Sequence, residues 1–363
     1  MNSTAQDNMT DTAHVHVEKT DNVAEMMNVA KIMHWYSSVV AGTILVVIGL
    51  IGNILSIIVW NRRSLKSSTG TYLIAQAVAD IGLLLFFFFT DSIVMMIPEI
   101  KQQYSYGVFF SYIGYPVFFL FVIISIWTTV GVTVDRYIQV CWFMHSKSMC
   151  SIKRALHGVG IISLLCFVVN IPHFCTYHPV QERNATDDAY AYTEFGKGHG
   201  SQNYEFWVHC MFLVLVPWLS ILVMNVMIIR QVLKTGAKMS DRKSVYSKEK
   251  SKKAENQLTT LLLTVTFTFL FLIALQCITQ CFFMLKPGQV NNELVDEAFA
   301  IAKLGIIINS TINFFLYCLS GRRFRKELCS VMGWRFRSDS TRSGSDLSSS
   351  DRSHSSPTKT SSM

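Results

Sequence analysis

Apolar residues in this chain gather into seven long stretches separated by polar segments. They run from Trp35 to Trp60, Thr71 to Ile97, Val108 to Val140, Leu156 to Tyr177, Phe206 to Leu233, Leu258 to Leu285 and Val295 to Leu319. Each suits the roughly 20 residues with which an α-helix crosses about 30 Å of hydrocarbon. The strict alternation of a barrel strand is missing, and unpaired backbone amides cannot face lipid, so helices are predicted throughout. The expected fold is an all-α membrane protein, a seven-transmembrane helix bundle. After the seventh stretch the pattern changes. Phe324, Leu328, Val331 and Met332 recur at helical spacing against Arg322, Arg323, Arg325 and Lys326. That predicts a short amphipathic eighth helix lying along the membrane surface. Four segments follow: an outer tail over 1–34, the bundle over 35–320, the amphipathic helix over 321–335 and a Ser/Thr-rich tail over 336–363. The last holds too few apolar residues to offset the entropy of ordering and is expected to be disordered.

Composition and charge add direction. Of 363 residues 50% are hydrophobic and 15% charged, with mean hydropathy +0.33, whereas a soluble domain carries about 25% charged residues. Lys and Arg crowd the connections after spans one, three, five and seven, as in Arg62, Arg63 and Lys66 after the first. Acids gather on the other side, among them Asp7, Asp11, Glu182, Asp187 and Asp188. The positive-inside rule then places the amino terminus outside and the carboxyl terminus in the cytosol of a multi-pass plasma-membrane protein. The net charge of +8 is a sum over two faces, and no nucleic-acid partner is expected. Sequons at Asn2, Asn8 and Asn184 fall outside and are expected to be glycosylated; that at Asn309 lies within a span. The polar opening residues show no cleavable signal peptide, so span one is expected to act as an uncleaved signal.

Polar groups inside the spans carry the candidate chemistry, because an ionisable side chain in hydrocarbon needs a reason. Asp80 lies midway along span two, Asn53 in span one, Ser125 in span three, and Asn309 and Asn313 one turn apart in span seven. An oxygen-rich nest around Asp80 suits a small hard cation such as sodium, or water; a satisfied network that only packs the bundle is the alternative. Asp135-Arg136-Tyr137 closes span three with two adjacent charges, which fits a switch at the inner face. Cys175 and Cys210 are the thiols reachable from outside, and either a bridge or two independent buried thiols fits the sequence. Cys329 is a candidate for palmitoylation or a plain free thiol.

Gly52-Asn53, Leu73 to Asp80, Asp135-Arg136-Tyr137, Pro217 and Asn313 through Tyr317 fall on the right helices in the right order to resemble the rhodopsin-like G-protein-coupled receptors. The string Asn309 to Cys318 followed by Arg322-Arg323-Phe324-Arg325 is similar to FMRFamide-type invertebrate neuropeptide receptors. The resemblance implies that Arg136 holds the resting state through Asp135, with Glu255 of span six as a further partner, and contacts a G protein on activation. It implies that Tyr317 swings inward in the active state and that Asp80, Ser125, Asn309 and Asn313 form a sodium pocket. It also implies an extracellular ligand, a heterotrimeric G protein, and receptor kinases and arrestin acting through the tail. The chain departs from the family in five places. Ser111 stands where the family has the cysteine that tethers the second outer loop, and an aliphatic residue near Ile162 replaces the Trp of span four. Span six lacks its Cys-Trp-x-Pro signature, and Asn313-Phe314-Phe315-Leu316-Tyr317 lacks the usual proline. The Tyr of span five appears as Asn225.

Family position excludes two ligand classes. Phe118 occupies the site of the amine-binding Asp, and Ile307 that of the retinal Lys. The outer cavity is expected to be lined by Asp91, Tyr112, Tyr115, Phe118, His173, His209, Gln276, Gln280 and Lys303, an aromatic pocket with a few polar anchors. Asp91 is the candidate counter-charge to a basic peptide end, or else a water-bonded carboxylate. Lys303 is expected at the rim. A short neuropeptide is the expected agonist, with a chemosensory or lipid-ligand receptor as the alternative. A transporter would show internal repeats and aligned acids, and an enzyme would show a nucleophile beside a base; neither pattern is present.

Overall fold

The computed structural model describes residues 28–29, 31–181, 188–240, 263–264, 266–272 and 292–333. Among them, five helices are long and apolar enough to cross a membrane: Lys31–Trp60, Ser68–Met96, Tyr104–Cys141, Ile152–Cys175 and Met211–Lys234. Lys303–Leu319 follows as the seventh span and bends by 97° into Arg322–Val331, the amphipathic helix. Most of the sixth span, both chain tails, Glu255, Gln276, Gln280 and the three outer sequons lie outside the described residues. The helical piece over 266–272 packs on span five, where the Trp218 indole donates to Leu270 C=O at 3.1 Å.

Side-chain placement matches a bundle immersed in lipid. Leu83, Leu84, Val122, Ile123 and Ile307 fill the interior, while Ile44, Ile51, Leu164, Leu165 and Phe271 point outward and exposed. Exposure of that many large apolar side chains fits a hydrocarbon surround, since water would penalise it. Helix starts are set by caps that hydropathy does not register. Ser151 Oγ accepts from Arg154 N at 3.3 Å, so span four begins at Ile152 and includes two basic residues in its first turn. Ser67 Oγ likewise accepts from Gly70 N at 3.0 Å and starts span two at Ser68. Such caps satisfy otherwise orphaned amides.

Four spans also carry π turns, at Tyr36–Ala41, Phe88–Ser92, Phe110–Gly114 and Phe206–Leu215. All lie at the end opposite Asp135. A π turn inserts a residue and rotates everything beyond it, and such turns concentrate at functional sites. A hairpin covers this end: β1 (Tyr177–Pro179) pairs antiparallel with β2 (Tyr190–Tyr192), with Tyr177 opposite Tyr192. Its docking takes the place of the tether that Ser111 cannot make. Tyr190 stacks on Phe110 at 4.1 Å, Tyr177 meets Phe110 edge-on at 5.3 Å, and Ala189 N donates to Lys101 C=O at 2.8 Å. Gly107 permits this fit, because a Cβ there would sit 1.9 Å from the Ala189 carbonyl oxygen.

Candidate functional site

The hairpin closes a cavity of about 330 Å³ between the ends of spans two, three and seven opposite Asp135. Rings of Phe110, Tyr115, Phe118, Tyr177, Tyr190 and Tyr192 form one wall. Burial raises the phenol pKa of Tyr177 and of Tyr190, with Tyr115 and Asp188 respectively adding to the rise. Both phenols therefore stay neutral hydrogen-bonding groups.

The opposite wall is polar and centres on Asp91, which the π turn Phe88–Ser92 brings against the π turn of span one. Ser38 Oγ donates to Asp91 Oδ2 at 2.6 Å, and Ser92 Oγ donates to Ser38 C=O at 2.8 Å. Lys303 Nζ lies 3.4 Å from Asp91 Oδ1, with His34 Nε2 at 3.7 Å from the same oxygen. One carboxylate thereby joins spans one, two and seven.

Of the residues expected to line the cavity, Asp91, Tyr115, Phe118 and Lys303 do so. Lys303, a third exposed, reaches Asp91 with its ammonium. Two expectations need correcting. Tyr112 is 49% exposed on the outside of the bundle, because the π turn Phe110–Gly114 rotates it away and presents Phe110 in its place. His173 is fully buried behind the wall, stacked on Phe119 at 4.7 Å and bonded through Nδ1 to the Tyr204 hydroxyl at 2.8 Å. The side chains of His209 and Cys210 lie outside the description, and Cys175 is an exposed free thiol.

Asp80 is fully buried midway through the bundle. Ser125 Oγ donates to its Oδ1 at 2.6 Å and Asn313 Nδ2 to its Oδ2 at 3.0 Å, so spans two, three and seven meet here as expected. Asn53 acts differently, donating to the carbonyls of Gly49 and Ser310 and so binding span one to span seven. Asn309 is buried but makes no hydrogen bond to Asp80; Ser310 is the neighbour whose hydroxyl faces the carboxylate.

At the far end Asp135 and Arg136 are both buried, and no direct ion pair joins them among the described residues. Asp135 Oδ2 accepts from Ser68, Thr69 and Gln139, while Arg136 donates to Gln139 Oε1 at 2.9 Å and to Thr69 Oγ1. Thr69 and Gln139 thus mediate between the two charges. Sequence reading missed both, although Gln139 lies one turn beyond Asp135, where a helix brings side chains together. A second missed contact lies alongside: Asn225 of span five donates to Thr266 of span six at 2.7 Å, beside Arg136. Tyr317 is buried and meets Trp60 at 5.6 Å and Phe324 of the amphipathic helix at 5.5 Å. Tyr137 packs toward Trp142 at 6.4 Å, away from this cluster.

A conserved-family model described as a seven-transmembrane receptor of the rhodopsin family matches residues 52–317. The chain belongs to that family. It is 28% identical over 299 residues to the FMRFamide receptor of Drosophila melanogaster, covering 77% of this receptor and 51% of that protein. The receptor therefore spans about half the length of that relative. The sex peptide receptor of the same fly is 23% identical, covering 78% and 69% of the two chains. Human galanin receptor type 1 is 25% identical, covering 81% and 80%. The family model runs from just before Asn53 to Tyr317, so it spans the Asp80, Arg136 and Tyr317 sites described above.

Proposed function

We propose that this receptor binds a short extracellular peptide in the hairpin-end cavity and signals through a heterotrimeric G protein at the Asp135 end. The supporting observation is the cavity itself, an aromatic wall facing a charged Asp91–Lys303 pair under a hairpin roof. A peptide offers aromatic, amide and charged groups to such a wall, and large rings bind with little loss of conformational freedom. The names of the FMRFamide and sex peptide receptors point the same way. The sorting of Lys and Arg supports an extracellular amino terminus, a plasma-membrane location and a cytosolic tail that receptor kinases and arrestin would engage.

Because Lys303 already engages Asp91, a basic ligand group reaches the carboxylate by displacing it, releasing this one tie of span seven to spans one and two. A ligand with different affinities for the paired and released arrangements shifts the population between them. At the other end, loosening the Thr69–Gln139 network frees Arg136 for the G protein. A sodium ion in the nest around Asp80 would be held by its carboxylate, the Ser125 oxygen and the Ser310 hydroxyl. A bound ion would neutralise the buried charge and favour the resting bundle. Cys329, half-buried on the amphipathic helix, would be the acylation site.

The test is expression in cells with a peptide library, reading G-protein dissociation and arrestin recruitment. Activation by one or a few peptides, lost in Asp91→Asn with surface expression intact, supports the assignment. Activation by lipids or small odorants with no active peptide overturns it.

A further inference from the structure

The cavity under the hairpin carries an excess of positive charge. Asp91 is the one acid among its described lining residues, against Lys101 and Lys303. Asp188, the next acid along the hairpin, is exposed. Asp91 is already served by Ser38 at 2.6 Å, Lys303 at 3.4 Å and His34 at 3.7 Å. Lys101 differs, since among the described residues no acid pairs with it. Its place beside the cavity is fixed all the same. It lies in the turn Pro98–Gln102, and its carbonyl accepts from Ala189 N at 2.8 Å, which ties it to the docked hairpin.

Entry of a basic ligand group sharpens this imbalance, and the inference rests on the reading of the cavity as a peptide site. Once such a group takes Asp91, Lys303 loses its carboxylate. The Lys303 side chain is only 32% exposed, so water compensates that loss in part. A ligand bringing a cation alone leaves two lysines without an acid beside one aromatic wall. A ligand bringing an anion as well exchanges one ion pair for two. We propose that the ligand carries a carboxylate beside its basic group, and that Lys101 and Lys303 receive it. A carboxylate accepts at both oxygens, so two ammonium groups share it without competing. Because Lys303 Nζ starts 3.4 Å from Asp91 Oδ1, the two charges of the ligand come from neighbouring positions in the peptide. An uncharged amide at the same place leaves both lysines unmatched. Such charge complementarity sets specificity by penalising the wrong partner.

The experiment uses the full-length receptor in cells and a library of short peptides containing Arg or Lys. Each sequence is made as the free acid and as the carboxyl-terminal amide, and again with every Asp or Glu replaced by Asn or Gln. G-protein dissociation gives the potency of each form. Neutralising the carboxylate of an active peptide should lower potency about tenfold. A loss on amidation assigns the carboxylate to the chain end, and a loss on replacing Asp or Glu assigns it to a side chain. Lys101→Ala should remove most of that difference by weakening the charged form alone, and Lys101→Glu should turn it into a preference for the neutral form. Lys101→Arg should keep it. The backbone carbonyl that Ala189 uses is present in all three variants. Lys197→Ala, which removes an equal charge from an exposed position after the hairpin, should keep the difference too. If neutralising the carboxylate costs no potency, the proposal fails while the peptide reading stands. The same holds if the cost persists in Lys101→Ala and Lys101→Glu at normal surface expression. Absence of any active peptide overturns both.

Discussion

Gly107→Ala tests how the hairpin is held against span three. The added Cβ would lie 1.9 Å from the Ala189 carbonyl oxygen, a backbone atom with no rotamer to yield. Ordinary contact requires the hairpin to retreat by about an ångström and a half. That exceeds what the 2.8 Å bond from Ala189 N to Lys101 C=O tolerates, since such bonds are lost beyond about 3.5 Å. Losing it costs about 0.5–1.5 kcal/mol. Opening the Phe110–Tyr190 stack, now 4.1 Å between ring centroids, costs about as much again. Docking of the hairpin should weaken by about 1–3 kcal/mol while the bundle core keeps its stability. Amide hydrogen exchange on the purified receptor reads this directly. Protection of the Ala189 and Val180 amides should fall about tenfold or more, with the central amides of spans two and three unaffected. Unchanged protection at Ala189 would show that the hairpin is held by something other than this close fit. Since Cys175 is a free thiol, dithiothreitol applied to the wild type should not reproduce the effect.

Three further outcomes are expected. Asp80→Asn removes the carboxylate to which Ser125 and Asn313 donate, so sodium titration of agonist binding should flatten; a retained sodium response would leave this nest as packing alone. Thr266→Val removes the acceptor of Asn225 between spans five and six. With one buried hydrogen bond lost, basal G-protein activation should rise about two- to tenfold, measured by nucleotide exchange and refuted by unaltered basal exchange. Burial, with Asp135 adding to it, pushes the Cys150 thiol up to about 11. At pH 8 only about one molecule in a thousand is then thiolate, and iodoacetamide labelling should rise tenfold per pH unit through pH 10. A plateau near pH 9, read by peptide mass mapping, would contradict that environment.

The sequence foresaw the sites where helices run regularly. Asp80, Ser125 and Asn313 stood out as polar groups within spans two, three and seven that the family resemblance groups together, and there they bond. Regular helical geometry fails where π turns intervene. Phe110 took the place assigned to Tyr112 because the extra residue in Phe110–Gly114 turns the helix face, and no propensity scale registers that insertion. Ser310 displaced Asn309 for a different reason: both are small polar residues in one turn, and the choice rests on the rotation of span seven. Thr69 and Gln139 were passed over because a hydroxyl and an amide are ordinary residues until a buried charge lies beside them. The hairpin that replaces the missing disulfide was also hidden, since Ser111 shows only that a tether is lost. Gly107 and the hairpin tyrosines Tyr177, Tyr190 and Tyr192 carry the substitute, through contacts between segments far apart in the chain.

Mediation of Asp135 and Arg136 by Thr69 and Gln139 changes the energetics of release. A direct ion pair broken inside the bundle would leave two unpaired charges, a cost of several kcal/mol unless both reach water. Here Asp135 keeps three donors of its own, from Ser68, Thr69 and Gln139. Arg136 can therefore leave without stranding its neighbour. Among the described residues, release surrenders the bonds from the guanidinium to Gln139 and Thr69, each worth about 1.5–3 kcal/mol as a bond to a charged group. Their sum is comparable to the roughly 5.5 kcal/mol that moves a two-state equilibrium from 1:99 to 99:1. Thr69→Ala should shift the balance by removing one of the two, yet it also takes a donor from Asp135. Gln139→Glu separates these effects, because it strengthens the hold on Arg136 while setting a like charge against Asp135. If release of the guanidinium governs activation, Thr69→Ala raises basal nucleotide exchange and Gln139→Glu lowers it. If instead the Asp135 anchorage governs it, both substitutions raise basal exchange, and the mediated latch is the wrong description of this switch.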